Sequence, residues 1–244
     1  MLGQMKMRPS WRWSAIGKHP VAMDYFQIGS NEALANIFAN WIENGYQKLV
    51  SKDKKESSFH SWRFWIPGKG RGAIACGIGR DSSDRMGRPY PFLVMGIGTI
   101  PDWENHWELL PIIFDETWGN MEHLASAQLD DLKELEKEIN QMKRPLIKET
   151  SVKYLPTDDI PASLLNSIKT SAGELTRDNE LYAPINDNNN NDAPSIVMEW
   201  HRGLKSYLRT YPGIVLMGGR PEKSYLAAFN RSLNTNDFIK LWTV

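Results

Sequence analysis

Two short apolar runs, held apart by a rigid polar linker, constrain this chain more than any other feature. Gly72-Ala73-Ile74-Ala75-Cys76-Gly77-Ile78-Gly79 precedes the linker, and Phe92-Leu93-Val94-Met95-Gly96-Ile97-Gly98 follows it. Runs of this length bounded by Gly and Pro read as buried strands. The linker itself, Ser82-Ser83-Asp84-Arg85-Met86-Gly87-Arg88-Pro89-Tyr90-Pro91, is excluded from helix. Pro89 and Pro91 fix φ and lack a donor, and they push Tyr90 into extended conformation. Gly87 admits a left-handed turn residue between Met86 and Arg88. Two readings of the linker stand side by side. Asp84 with Arg85 or Arg88 can brace a strand connection through ordinary hydrogen bonds. Alternatively, the arginine pair is an exposed fork for an acidic or phosphorylated partner.

At 244 residues the chain is long enough for a substantial core, in one large domain or two small ones. Twenty-nine basic residues balance 29 acidic ones, which argues against nucleic acid as a partner. Ten tryptophans imply an aromatic-rich core or docking face. The single cysteine excludes an internal disulfide and fits a reducing compartment; Cys76, inside an apolar run, reads as a small core residue. Met1 to Trp13 does not read as a signal peptide, and no window approaches the length of a membrane helix. A cytoplasmic protein without membrane insertion is the expectation.

In chain order, Trp11 to Gly17 predicts a strand and Val21 to Phe26 a loop stiffened by Pro20. Ser30 is placed as an N-cap, with Glu32 in the first turn of a five-turn helix carrying Leu34, Ile37, Phe38, Trp41, Ile42 and Leu49 as its apolar stripe. Lys52 to Glu56 reads as a charged loop. Ser61 to Ile66 predicts a strand with Trp62, Phe64 and Ile66 on one face and Arg63 and Trp65 on the other. Pro67 to Gly72 reads as a hairpin turn; it lacks the spacing and the following helix of a phosphate-binding loop. Pro101 to Trp107 is helical or irregular. Met121 to Met142 predicts one long charged helix with a leucine stripe. Asp158 or Asp159 is placed as the cap of a helix containing Leu164, Leu165 and Ile168, and Gly173 to Tyr182 as a polar stretch. Asn186 to Asp192, with nothing apolar to bury, is expected to be a flexible loop. Ile196 to Leu208 predicts a helix, Ile214 to Met217 and Ser224 to Phe229 strands, and Asn236 to Trp242 a final helical turn or two. Alternating strands and helices favour a sheet covered on both faces.

Searches for catalytic patterns return no nucleophile elbow, zinc-protease helix, Cys pair or dinucleotide fingerprint. His106 and His123 lack zinc-site spacing and read as solvated or capping residues, and His19, His60 and His201 are scattered without a neighbouring nucleophile, so no metal or cofactor is expected. Asp24, Asp81 and Asp84 are the carboxylates placed in Gly/Pro-rich loops where a site is credible.

Two blocks carry a family resemblance. Gly17-Lys18-His19-Pro20 followed by Asp24-Tyr25-Phe26 resembles the N-terminal G-K-x-P-x-x-x-D-[FY] signature of the TagF/ImpM family, accessory proteins of bacterial type VI secretion. Trp62-Arg63-Phe64, Pro67-Gly68 and Ser83-Asp84-Arg85-Met86-Gly87-Arg88-Pro89-Tyr90-Pro91 are similar to that family's second block. Met23 and His19 stand where the family usually has Gly and Leu. The match is close over about residues 11–100. The resemblance implies one TagF-like domain over residues 1–244, with its best-matched core at about 11–142 and a remainder at 146–244 that resembles the family only loosely. It implies an α/β fold, a three-layer α/β/α sandwich with a central mixed sheet.

The resemblance also implies a non-enzymatic regulator that restrains assembly of the secretion apparatus after translation, by protein–protein contact. The partners it implies are type VI secretion components, in some systems a forkhead-associated scaffold protein. Asp24, Asp84, Arg85 and Arg88 are the expected polar constellation. Gly17, Lys18 and Pro20 shape one loop, and Ser83, Gly87 and Pro91 the other. One alternative is a small-ligand binder or hydrolase-like enzyme using the Asp24/Asp84/Arg85/Arg88 loops, with a deep pocket at their junction. Another is an adaptor that docks through exposed Trp103 and Trp107.

Overall fold

The apolar runs flanking the central linker become neighbouring strands, β4 (Ala73–Arg80) and β5 (Phe92–Thr99), paired antiparallel along their whole length. The computed structural model describes residues 11–51, 59–146, 160–185 and 193–244. The other strands are β1 (Arg12–Gly17), β2 (Phe26–Gly29), β3 (Ser61–Pro67), β6 (Glu180–Pro184), β7 (Ile214–Arg220) and β8 (Lys223–Phe229). They form one eight-stranded sheet in the order β2-β1-β5-β4-β3-β7-β8-β6. The fold is α/β, but the expected mixed sheet is instead antiparallel in every pair. The short turns at 68–72 and 221–222 and the linker at 81–91 explain part of this. A parallel neighbour needs a crossover of a dozen or more residues, and these connections allow only reversal.

The helices are α1 (Ala33–Ser51), α2 (Leu110–Ser126), α3 (Leu132–Gln141), α4 (Ala162–Asp178), α5 (Ala193–Tyr207) and α6 (Thr235–Leu241). Successive strand residues alternate between two hydrophobic clusters, as a pleated sheet requires. Trp62, Phe64 and Leu93 pack with Phe38 and Trp41 of α1 and Phe238 of α6. Trp65, Cys76 and Val94 pack instead with Phe114 of α2, Leu135 of α3 and Trp200 of α5. The C-terminal residues close onto the first helix at Gly45. A Cβ there would lie 2.2 Å from the Phe238 ring, so only glycine lets α1 and α6 approach this closely. Phe238 stacks in turn on Trp242 with centroids 4.2 Å apart.

Several expectations are corrected. The helix over Met121–Met142 is two helices, interrupted between Ser126 and Leu132. Asp131 caps α3 by accepting from the Glu134 backbone N–H, and the Glu134 carboxylate accepts from the backbone of Asp130. This local capping competes successfully with continuation of the first helix. α1 opens at Ala33, so Ser30 is not its cap, and Ile37 of the expected apolar stripe faces solvent. Ser30 instead donates its backbone N–H to Trp13 and accepts from the Ser14 hydroxyl, while Glu32 pairs with Arg12. Phe26, read as loop, begins the edge strand β2. The polar stretch Gly173–Tyr182 completes α4, turns through left-handed Asn179 (φ 60°) and enters the edge strand β6. Trp103 and Trp107 are only 2–3% exposed, packed around Trp65 and His201, so the exposed-tryptophan adaptor has no surface. The charged stretch Lys52–Glu56, the Asp158/Asp159 cap and the asparagine run 186–192 lie outside the described residues.

Candidate functional site

Strand register, not local sequence, brings the two motif loops together. β1 and β5 are antiparallel neighbours, and Gly17 at the end of β1 stands opposite Phe92 at the start of β5. The loop leaving β1 therefore emerges beside the linker entering β5. Gly17 adopts φ 123°, and a Cβ there would sit 2.1 Å from the Pro91 carbonyl oxygen. That position needs glycine for conformation and for space. Past Pro20, the Ala22 carbonyl accepts the backbone N–H of Arg85 at 2.8 Å, which joins the loops directly. His19, fully buried, fixes the first loop to the body. Its Nδ1 accepts from the Val21 N–H and its Nε2 bonds the Leu124 carbonyl of α2. Burial holds its pKa below the ordinary value, so the ring is neutral.

Asp84 is the centre of the junction, with no exposed side-chain surface. Its Oδ1 accepts from the backbone N–H groups of Met86 and Arg88, both at 3.0 Å. Its Oδ2 accepts from Lys18 Nζ at 2.9 Å and Arg88 Nε at 2.7 Å. Gly87, at φ 74°, provides the left-handed step that folds the linker around this carboxylate, and Ser83 bridges to Pro89 across it. Burial pushes the Asp84 carboxyl up. The bonds from Lys18, from the Arg88 and Met86 backbone and from the Arg88 guanidinium outweigh it and bring the pKa down to about 2. Asp84 is thus an ionised anchor near neutral pH, with both oxygens fully engaged.

Asp24 closes the outer side. It lies 3.2 Å from the Arg88 guanidinium and 3.7 Å from Lys18 Nζ. The Tyr25 backbone N–H and the two cations lower its pKa. Arg88 also donates to the Met23 carbonyl at 2.7 Å. From α1, Tyr46 donates its hydroxyl to the Pro89 carbonyl at 2.8 Å, and Glu43 accepts from the Tyr90 hydroxyl. Tyr25, Tyr90 and Tyr46 form a chain of edge contacts, with centroids 5.6 and 5.0 Å apart.

Of the four residues in the expected constellation, the structure brings together Asp24, Asp84 and Arg88. Arg85 stands outside the ion pairs: it is exposed, and among the described residues no carboxylate pairs with its guanidinium. Lys18, expected only to shape its loop, is instead a main partner of Asp84. Glu43 and Tyr46 were missed, because they reach the linker from a helix some forty residues away in sequence. An open depression in this region is lined by Tyr25, Gln27, Asn31, Asn36 and Asn40, and by none of Asp24, Asp84, Arg85 or Arg88. Among the described residues no group of His, Cys, Asp and Glu could hold a metal ion, and no helix is long and apolar enough to cross a membrane.

Comparison with known proteins points the same way as the motifs. The TagF N-terminal domain family, described as type VI secretion system-associated, matches residues 14–144. No curated protein matches the chain. Among solved structures, the crystal structure of PA0076 from Pseudomonas aeruginosa PAO1 is similar at 18% identity, with a TM-score of 0.42. The similarity covers 83% of this chain and 97% of that one. The family match includes both motif loops and more than half of the 244 residues, and the chain belongs to the TagF N-terminal domain family of type VI secretion-associated proteins.

Proposed function

We propose that this protein is a non-enzymatic accessory regulator of a bacterial type VI secretion system. In this reading it is a single cytoplasmic domain of three-layer α/β/α type that acts after translation. It represses apparatus assembly by binding secretion components, a forkhead-associated scaffold protein among them. The observation that carries the reading is the division of labour at the loop junction. Asp84, Lys18, Arg88 and Asp24 brace one another, and the braced loops present Arg85, Met23 and Met86 to solvent. An exposed guanidinium on a braced loop, beside apolar side chains, suits protein recognition.

Arg85→Ala separates binding from folding, because Arg85 takes no part in the ion-pair network. The tagged full chain and the variant are used to capture proteins from the native cell, with thermal unfolding measured in parallel. Wild type is expected to retain type VI secretion components, and the variant to lose them at unchanged Tm. Undiminished capture by Arg85→Ala would remove the junction from the function. Arg88→Ala is the less clean probe, since it also removes the guanidinium that bonds Asp84 and pairs with Asp24.

A further inference from the structure

We infer that the junction takes an acidic segment of the partner protein, one carboxylate seated on Arg85 and a neighbouring aliphatic side chain on Met23 and Met86. This rests on the docking reading above and adds the chemistry of what docks. Charge is the first support. Asp24 and Asp84 are both engaged by Lys18 and Arg88, and the third carboxylate at the junction, Glu43, accepts from the Tyr90 hydroxyl. Arg85 is exposed, and among the described residues no carboxylate pairs with its guanidinium. A guanidinium without a partner offers a planar fork that matches a carboxylate.

Apolar exposure is the second support. Met86 is 67% exposed, Met23 59% and Tyr25 46%. They make up three of the eight large hydrophobic side chains exposed among the described residues, and they sit on two loops that bond to each other. Methionine is pliable and adapts to aliphatic side chains of varied shape. Rigidity is the third support: the loops are cross-braced from beneath by Asp84 and from α1 by Tyr46, so little ordering cost opposes binding. A carboxylate fits better than a phosphate dianion. Lys18 and Arg88 are already committed to Asp84 and Asp24, which leaves a single guanidinium to meet the ligand.

The test is fluorescence anisotropy with the full chain and a labelled peptide in which two glutamates flank a leucine within a glycine–serine context. Control peptides replace the glutamates by lysine or the leucine by serine. Saturable binding at or below about 1 mM is expected for the acidic peptide, weakened at least about tenfold by Arg85→Glu. Met23→Ser with Met86→Ser should weaken it several-fold, whereas Arg209→Glu, at an exposed arginine elsewhere, should leave it unchanged. Unchanged Tm in each variant guards against misfolding. Absence of saturable binding, equal binding of the lysine peptide, or full affinity in Arg85→Glu would overturn the inference. So would displacement by inorganic phosphate at much lower concentration than by acetate. If the peptide fails while Arg85→Ala still abolishes capture of secretion components, the acidic chemistry is wrong and the docking reading stands. If the peptide binds while that capture is untouched, the acidic-segment site stands and its assignment to secretion components falls.

Discussion

Asp84 and Asp237 are two buried carboxylates that receive an arginine, and they differ in everything around the pair. Asp237, in the first turn of α6, accepts from both terminal nitrogens of Arg231, at 2.6 and 2.7 Å, and from the Asn234 backbone N–H at 2.7 Å. Arg231 reaches on to Glu180 at the start of β6, so the cluster ties an edge strand and the last helix to the end of β8. Two carboxylates there meet one guanidinium, and Lys240 lies 3.3 Å from the centre of the Tyr182 ring close by. Asp84 likewise folds a loop around itself, drawing in Lys18 and Arg88, but a further arginine, Arg85, stays exposed and outside the ion pairs beside exposed methionines. An arginine–carboxylate cluster is therefore no sign of a binding face in itself. The unmatched charge and the uncovered apolar side chains beside it are what set the first cluster apart.

The largest expected effect treats the two alike. Asp237→Asn breaks a largely buried pair and a helix cap at once, at about 2–3 kcal/mol after allowance for the partial exposure of Arg231. For a chain of this size that lowers Tm by roughly 5–10 °C in differential scanning calorimetry. Asp84→Asn is expected to lower Tm as well, because Lys18 and the Arg88 guanidinium lose their buried counter-charge. An unchanged Tm in Asp84→Asn alone would show that the junction is not a structural anchor.

Acid tests the junction on its own. Asp84 has a folded pKa of about 2 against an ordinary 3.8, so its contribution is complete above that ordinary value and disappears as pH falls through 2. Between pH 4 and 2 the Tm of wild type should fall more steeply than that of Asp84→Asn. His201, buried and lowered to about 4, acts in a different window. Its neutral ring accepts from the Trp65 indole and donates to the Val197 carbonyl. Stability it supports is whole above about 6.5 and is lost as pH falls toward 4. Equal slopes for wild type and Asp84→Asn below pH 4 would contradict the lowered carboxyl.

Smaller effects fall on the surface. Met23→Ser with Met86→Ser is expected to reduce capture of secretion components several-fold while leaving Tm within a degree or two. Arg85→Ala should shift stability by no more than about 0.5 kcal/mol, the range for exposed residues outside any network. A clear loss of stability in either would mean that these side chains hold the loops and do not merely decorate them.

Legibility followed the range of the interactions. β1, β3, β4, β5, α1 and the 67–72 turn were readable because alternation, helical spacing and Gly/Pro punctuation are local. β2 and β6 were not, since Phe26-Gln27-Ile28-Gly29 and Glu180 to Pro184 become strands only by adding to the edges of a sheet formed elsewhere. The break between α2 and α3 did have a local sign, Asp131 followed three residues later by Glu134, which the leucine stripe obscured. That Asp24 braces an arginine of the linker could be read from the two motif blocks. Which arginine remains outward, and the engagement of Lys18 with Asp84, depend on the Gly17–Phe92 register, which no short stretch of sequence encodes. The Asp237–Arg231–Glu180 cluster escaped notice for the same reason, with Glu180 lying 51 residues from Arg231.

Hydrogen–deuterium exchange of the full chain, alone and bound to the secretion component it captures, probes the contrast between the clusters most directly. Slowed exchange at residues 20–26 and 84–90, with 231–240 unaltered, is the result expected of a junction that docks and a distant cluster that only holds the fold. Protection at 231–240 with the motif loops exchanging as in the free protein would contradict it.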